Sequence, residues 1–428
     1  MTASECRSYL KHLERFGIKL GLDNIRALLA AFRDPQRSYP CLHVAGTNGK
    51  GSVCAMIAEA LARNSLKVGL YTSPHLVRVE ERIRVGTRII PPADFRRLAG
   101  EVKERSDKLL GAGSLEAPPT FFEVLTAIAM LYFREKKVDI AIFEVGMGGR
   151  FDATNVVTPL VSIITNIALD HQEYLGKTIG AIAFEKAGII KPGVPVVTGV
   201  ERGPALKVIR ERAAEERAPL VKAFGGSARL ESRRGGHGYR FTYRFGGDSF
   251  RFTPSLPGEH QGKNAAVALA ALSVLSGKWR RLSVSRIIEG IENARWEGRL
   301  ELVGTRPRLY LDGAHNEAGA AVLKSFLRND LRLKPVLVFV MMKDKAVRRA
   351  ARLLFPEAKK VILTSIPYAR AAKPEDILAL ARPFRKKILV EPSLERALAL
   401  ARREAGPNGA VLVAGSLYLV GAVKRIIR

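Results

Sequence analysis

From residue 41 onward, short apolar runs alternate with longer stretches in which apolar positions recur every third or fourth residue. A short apolar run between turn residues reads as a buried strand, and the longer spacing as an amphipathic helix. Cys41–Ala45 is predicted as a first strand, 52–64 as the helix after it and 66–72 as a second strand. Helices over 92–110 and 120–136 follow, then strands over 138–144 and 160–165, and further alternation to about Val221. Strands joined by helices pair in parallel, so an α/β domain with a parallel sheet is expected.

Between residues 229 and 253 the period changes to two. Tyr239, Phe241, Tyr243, Phe250 and Phe252 alternate with polar residues between Gly-Gly pairs, which predicts antiparallel strands appended to the first domain. After a helix over 261–276, a second α/β alternation begins near Arg299. Its strands are expected at Arg308–Leu311, 335–340, Lys360–Leu363 and Ala410–Ala414. At 428 residues the chain exceeds what one hydrophobic core usually supports, so two domains are expected: 1–296, with a β-rich appendage at about 222–256, and 297–428.

Composition narrows the class. With 47% apolar and 26% charged residues the chain can bury a large core and does not read as disordered. No apolar run approaches the length of a membrane span, and the polar stretch from Met1 to Tyr9 lacks the features of a signal peptide. The three cysteines, Cys6, Cys41 and Cys54, are too few and too scattered for a disulfide framework or a zinc site. A cytoplasmic protein with reduced thiols and no membrane partner is expected. The formal net charge of +29 invites a nucleic-acid reading, but the lysines and arginines are spread along the chain and no nucleic-acid-binding signature accompanies them. Nucleic acid is therefore not expected as a partner. A diffuse positive field equally draws in small polyanions such as ATP or a substrate with several carboxylates.

The candidate chemistry begins at Gly46-Thr47-Asn48-Gly49-Lys50-Gly51-Ser52, between a predicted strand and a predicted helix. A glycine-rich turn there aims backbone N–H groups at one spot, the helix N-terminus adds partial positive charge, and Lys50 supplies a mobile cation for outer phosphates. The common nucleotide-loop pattern requires glycine where Val44 stands and a hydroxyl where Gly51 stands, so it is not met. A glycine-rich turn without a ligand is the bland alternative.

This loop is similar to that of the folylpolyglutamate and dihydrofolate synthases, members of the Mur ligase superfamily. The resemblance covers essentially the whole chain. It includes Phe16-Gly17-Ile18-Lys19-Leu20-Gly21-Leu22, Thr72-Ser73-Pro74-His75-Leu76, Glu81-Arg82-Ile83, the run from Glu144 to Asn155 and Leu169-Asp170-His171, all in order. It implies a P-loop NTPase-like first domain and a Rossmann-like second one, closing over ATP. It further implies a monomeric ligase that activates a carboxylate of pteroate or folate as an acyl phosphate and joins it to L-glutamate.

The same resemblance assigns roles. Gly49, Lys50, Gly51 and Ser52 would hold phosphates, with Asn264 at the adenine and Arg299 and Asp312 reaching ATP from the second domain. Ser73, Glu144 and His171 would ligate Mg2+, although magnesium prefers oxygen to imidazole. Lys186 corresponds to a lysine carried as a carbamate, an anion able to support the metal site. On sequence alone it could equally be a surface lysine near a helix C-terminus. Phe122 and Asp152 would meet the pterin ring, by an aromatic face and by accepting ring N–H groups. His171 could instead be a loop histidine, Phe122 a core residue, and Asp312 and Asn316 helix caps. Lys50, His171 and Lys186 are the expected catalytic set; no general base stands out.

Two rivals remain at this point. Peptidoglycan-type Mur ligases usually have threonine at the position of Gly51 and carry an extra N-terminal domain, for which the 40 residues before the first predicted strand leave no room. A basic nucleotide-responsive binding protein is the alternative from another class. Arg150 and Asp152 look more like the enzymes that add both first and later glutamates.

Overall fold

Cys41–Ala45 (β1) is buried at all five positions because it lies inside an eight-stranded sheet with helices on both faces. The computed structural model describes residues 1–14, 17, 21–235, 238–279 and 281–427. Of the 16–22 string, Phe16, Ile18, Lys19 and Leu20 lie outside the described residues. The sheet continues with Val68–Tyr71 (β2), Ile83–Val85 (β3), Arg88–Ile89 (β4), Ile140–Glu144 (β5), Val161–Ile164 (β6), Val196–Thr198 (β7) and Leu220–Lys222 (β8), in the order β4-β3-β2-β5-β1-β6-β7-β8. β2, β5, β1, β6, β7 and β8 run parallel, while β3 and β4 pair antiparallel at one edge.

The register places the site. Val44 of β1 pairs with Glu144 of β5 and with Ile163 of β6, so three strands end at one level and the loops after them meet. In an open α/β sheet such a carboxyl edge is where ligands bind. One face is covered by helices Lys50–Arg63, His260–Lys278 and Val284–Asn293. The other is covered by Pro92–Gly111 and Phe121–Glu135. Phe121–Glu135 buries every residue from Glu123 to Phe133 and starts at a capping box, in which Thr120 N donates to Glu123 Oε2 at 2.7 Å and Glu123 N to Thr120 Oγ1 at 3.3 Å.

Arg229–Gly235 (β9), Gly238–Phe245 (β10) and Asp248–Phe252 (β11) form a separate antiparallel sheet. Its alternation is as read from the sequence: Phe241, Tyr243, Phe250 and Phe252 are buried in the same core as helix His260–Lys278. A six-stranded sheet builds the second domain from Glu301–Thr305 (β12), Arg308–Leu311 (β13), Val336–Phe339 (β14), Lys360–Leu363 (β15), Ile388–Val390 (β16) and Ala410–Ala414 (β17). Its order is β12-β13-β17-β14-β15-β16, parallel except for the β12–β13 pair. The architecture is therefore the mostly parallel α/β domain followed by a second α/β domain that the periodicity predicts. The antiparallel strands β3, β4 and β12, of which β4 and β12 are sheet edges, carry no apolar run, since polar residues such as Arg84, Arg88 and Glu301 interrupt them. Among the described residues, no helix is long and apolar enough to cross a membrane.

Candidate active site

The loop from Gly46 to Gly49 needs glycine at both ends, with φ of +146° and +81°. A Cβ at Gly46 would collide with Thr165 Oγ1, and one at Gly49 with Asn264 Oδ1. The loop is braced from β6: Thr47 N donates to Asn166 O and Asn48 N to Asn166 Oδ1, both at 2.9 Å, and Thr165 Oγ1 donates to Asn48 O at 2.7 Å. Helix Lys50–Arg63 follows with no side chain capping its first turn. Its leading N–H groups, at Lys50, Gly51 and Ser52, are left for a ligand. Lys50 Nζ folds back onto Gly46 O (3.1 Å) and Thr47 O (3.4 Å).

Gly51 and Ser52 are held from the other side. A Cβ at Gly51 would lie 2.5 Å from Trp296 Nε1, so the indole fills the space that a hydroxyl-bearing side chain takes in the common pattern. Ser52 Oγ accepts from Gln261 Nε2 (3.4 Å), and Gln261 Oε1 accepts from Asn264 Nδ2 (2.8 Å). Asn264, expected at the adenine, thus sits against Gly49 of the loop.

Beside the loop a cleft of about 490 Å3, open solvent included, is lined by Gly51, Ser73, Glu144, Trp296 and Arg299 among others. Glu144, the last residue of β5, is buried and accepts from Ser73 N at 3.1 Å. Burial pushes its carboxyl pKa up, while the Lys50 and Arg299 cations pull it down. Ser73 and Glu144 are thus neighbours in the cleft, joined through the Ser73 backbone N–H.

His171 is placed otherwise. It sits in the left-handed region (φ +49°), and its Nε2 lies 3.2 Å from Lys345 Nζ. Burial lowers its pKa to about 4, so the imidazole is neutral and accepts from the ammonium. Among the described residues, no three of His, Cys, Asp and Glu are grouped to hold a metal. Lys345 Nζ also donates to Asp170 Oδ1 at 2.6 Å, and Asn316 Nδ2 donates to Asp170 Oδ2 at 2.9 Å and to Asn48 Oδ1 at 3.0 Å. His315 Nε2 lies 3.5 Å from Asp170 Oδ2. Burial would raise the Asp170 pKa, but His315, His171 and Lys345 together hold it well below the usual carboxylate range. Asp170 thus joins the first domain to three residues of the second.

Lys186 is 5% exposed, which removes the surface-lysine alternative. Burial, with Lys50 nearby, lowers its pKa to about 7. Its neighbour Glu185 pairs with Arg150 at 2.7 Å, and Arg150 lies over the rings of Phe151 and Phe184. Asp152 and Phe122 flank Gly146, where a Cβ would stand 2.6 Å from Phe122 Cζ and 3.2 Å from Asp152 Oδ2. Asp312 is buried, with Oδ1 accepting from Ala314 N (2.8 Å) and Oδ2 from Leu300 N (2.9 Å), which anchors the residue after Arg299. Asn316 caps the helix Glu317–Phe326, as one reading of it held. The residues missed by sequence reasoning are Lys345, Asn48, Trp296 as a cleft wall, and Asn316 as an interdomain bridge. Lys345 stands outside every recognised motif in a chain whose basic residues are spread throughout, so nothing distinguishes it before folding.

The Mur ligase middle domain matches residues 44–272, and the Mur ligase glutamate ligase domain matches residues 298–417. The chain is 35% identical over 433 residues to the dihydrofolate synthase/folylpolyglutamate synthase of Bacillus subtilis, covering 99% of each. It belongs to this family of Mur-type ligases. It is also 35% identical over 431 residues to the folylpolyglutamate synthase of Lacticaseibacillus casei, covering 100% of this chain and 99% of that one. Among solved structures, Mycobacterium tuberculosis folylpolyglutamate synthase complexed with ADP superposes with a TM-score of 0.91 at 30% identity, over 99% of this chain and 98% of that one. Escherichia coli FolC in complex with DHPP and ADP superposes at 0.87 with 30% identity, over 99% and 97%. Such folylpolyglutamate synthase relatives match from end to end, so both α/β domains share the family's fold.

Proposed function

We propose that this protein is an ATP-dependent ligase that joins L-glutamate to dihydropteroate and to the glutamate tail of a reduced folate. The observation that carries the reading is the cleft in which an uncapped, glycine-ringed helix N-terminus, a buried carboxylate and Arg299 from the second domain converge. The family membership agrees with it.

The reaction needs two steps. An oxygen of the acceptor carboxylate takes the terminal phosphoryl group of ATP, giving an acyl phosphate and ADP. The glutamate α-amine then attacks the acyl carbon, an amide forms, a proton is lost and phosphate leaves. Most of the barrier is lowered by positioning and charge stabilisation, since ATP already supplies the driving force. In this reading Gly49, Lys50, Gly51 and Ser52 cradle phosphates, with Lys50 Nζ leaving its own loop carbonyls for the phosphate oxygens. Asn264 and Asp312 order the nucleotide side, and Arg299 offers a planar fork of donors to phosphate. Phe122 and Asp152 take the acceptor's ring.

The donors present suit magnesium in part. The Glu144 carboxylate and Ser73 are oxygen ligands of the kind the ion prefers, whereas His171 Nε2 is engaged by Lys345. Bound at Glu144 and Ser73, Mg2+ would neutralise phosphate charge. His171 would complete that set only if its Nε2 left Lys345. Lys186 is read as the carbamate: CO2 adds only to an uncharged amine, and its pKa near 7 leaves a large share uncharged at neutral pH. We also set the domain boundary between Trp296 and Glu297, and take the protein to be a cytoplasmic monomer.

The test is ATP-dependent incorporation of glutamate with dihydropteroate and, separately, with tetrahydrofolate. Turnover with both is expected. Turnover with neither would overturn the reading.

A further inference from the structure

His43 is a polar residue in the middle of the central strand of the first sheet, fully buried and paired in register with Phe143 and Ser162. An imidazole there costs desolvation that valine or isoleucine would avoid. Its ring makes one hydrogen bond, between Nε2 and Thr154 Oγ1 at 2.8 Å, and Nδ1 is buried without a partner. Burial lowers its pKa to about 3, so it is neutral.

The direction of that bond follows from its neighbour. Thr154 Oγ1 also lies 2.5 Å from Asp152 Oδ1. Thr154 Oγ1 is the donor of that bond. Burial raises the Asp152 pKa, but the Thr154 hydroxyl and the backbone N–H groups of Met147, Thr154 and Gly146 favour the carboxylate, which only accepts, so the single hydroxyl proton of Thr154 points at Asp152. Thr154 Oγ1 must then accept from His43, which puts the imidazole proton on Nε2 and leaves Nδ1 bare. Asp152 Oδ1 receives a second bond from Thr154 N (3.1 Å), and Oδ2 receives one from Met147 N (2.9 Å). Oδ2 is the oxygen beside Gly146 and the Phe122 ring.

We propose that His43 is a positioning residue for the acceptor site. Through the Thr154 hydroxyl it fixes the rotation of the Asp152 carboxylate, so that Oδ2 stays an acceptor turned toward the Phe122 side for ring N–H groups of the substrate. This rests on the reading of Phe122 and Asp152 as ring contacts. His43 touches no substrate. A histidine in place of an aliphatic residue is explained by the donor it supplies and not by packing.

The test compares His43→Leu, Thr154→Val, the double variant, His43→Gln and Asp152→Asn by steady-state kinetics with each acceptor. His43→Leu, which removes a hydrogen bond between neutral groups, and Thr154→Val, which removes the bond to the carboxylate itself, should each raise the acceptor KM by up to about tenfold, with kcat and the KM for ATP within about twofold. The double variant should be no worse than either single, because both break one chain. His43→Gln, whose amide N–H reaches the position of Nε2–H, should restore the KM. If Asp152→Asn raises the acceptor KM while His43→Leu and Thr154→Val leave it unchanged, the ring contact stands and the role of His43 is overturned. If Asp152→Asn itself has no effect, the ring-contact reading fails and this inference with it. Nitrogen-15 spectra of the histidine rings in the unaltered protein give a readout independent of any variant's folding. His43 should carry its proton on Nε2, and a proton on Nδ1 would overturn the proposal.

Discussion

Lys345 Nζ lies 2.6 Å from Asp170 Oδ1 and 3.2 Å from His171 Nε2, so a buried cation of the second domain is seated on a carboxylate and an imidazole of the first. Its side chain is 7% exposed, so the pair is shielded from solvent and salt. Removing one member of a buried charge pair leaves the other uncompensated, which costs about 3–5 kcal/mol. Lys345→Met should therefore loosen the contact between the domains. The measurement is small-angle scattering, with an increase in the radius of gyration expected, together with a fall in kcat/KM of at least about tenfold. Unchanged scattering and rate would make the contact incidental to closure.

Lys186 supplies a pH test. Its folded-state pKa, about 7, is below the ordinary lysine value of 10.5. Between those two values the unfolded chain binds more protons than the folded one, so stability of the carbamate-free protein rises with pH across that window. Chemical denaturation in bicarbonate-free buffer at pH 7 and pH 9 should show this rise, and Lys186→Met should flatten it. Equal slopes for the two proteins would mean that Lys186 does not titrate there.

Lys50→Ala should lower turnover by about a thousandfold or more, as for other groups placed where charge develops. The fold should survive, because Lys50 bonds only to carbonyls of its own loop. Circular dichroism and the melting temperature check the second half. A variant that stays fully active removes the loop from the mechanism.

Gly51→Ser installs the hydroxyl of the common loop pattern. Here a Cβ at that position would stand 2.5 Å from Trp296 Nε1, so the serine should displace the indole and cost about 1–3 kcal/mol. Thermal melts measure this, and Gly51→Ser combined with Trp296→Leu should recover part of the loss. A Gly51→Ser protein as stable as the parent would show that the indole moves freely.

The readable part of the fold was its parallel frame. β1, β13, β15 and β17 are strands at the residues where apolar runs predicted them, and the helices around them deviate by a residue or two at their ends. The period-two stretch announced β9 to β11 in the same way. The short strands β3, β4 and β12 at the sheet margins were silent, because polar residues interrupt them and they carry no apolar run. At the candidate site, Ser73, Glu144 and Arg299 line one cleft, whereas His171 faces Lys345.

The sequence by itself determined the order of strands and helices and the position of the glycine-rich loop, since local periodicity and backbone freedom are properties of neighbouring residues. It also determined the family, through motifs strung along the whole chain. Only the tertiary structure decided that Lys186 is buried, that Trp296 fills the space beside Gly51 and that Lys345 meets Asp170 from 175 positions away. Burial, close approach and long-range pairing arise when distant segments pack, and no single stretch of sequence encodes them.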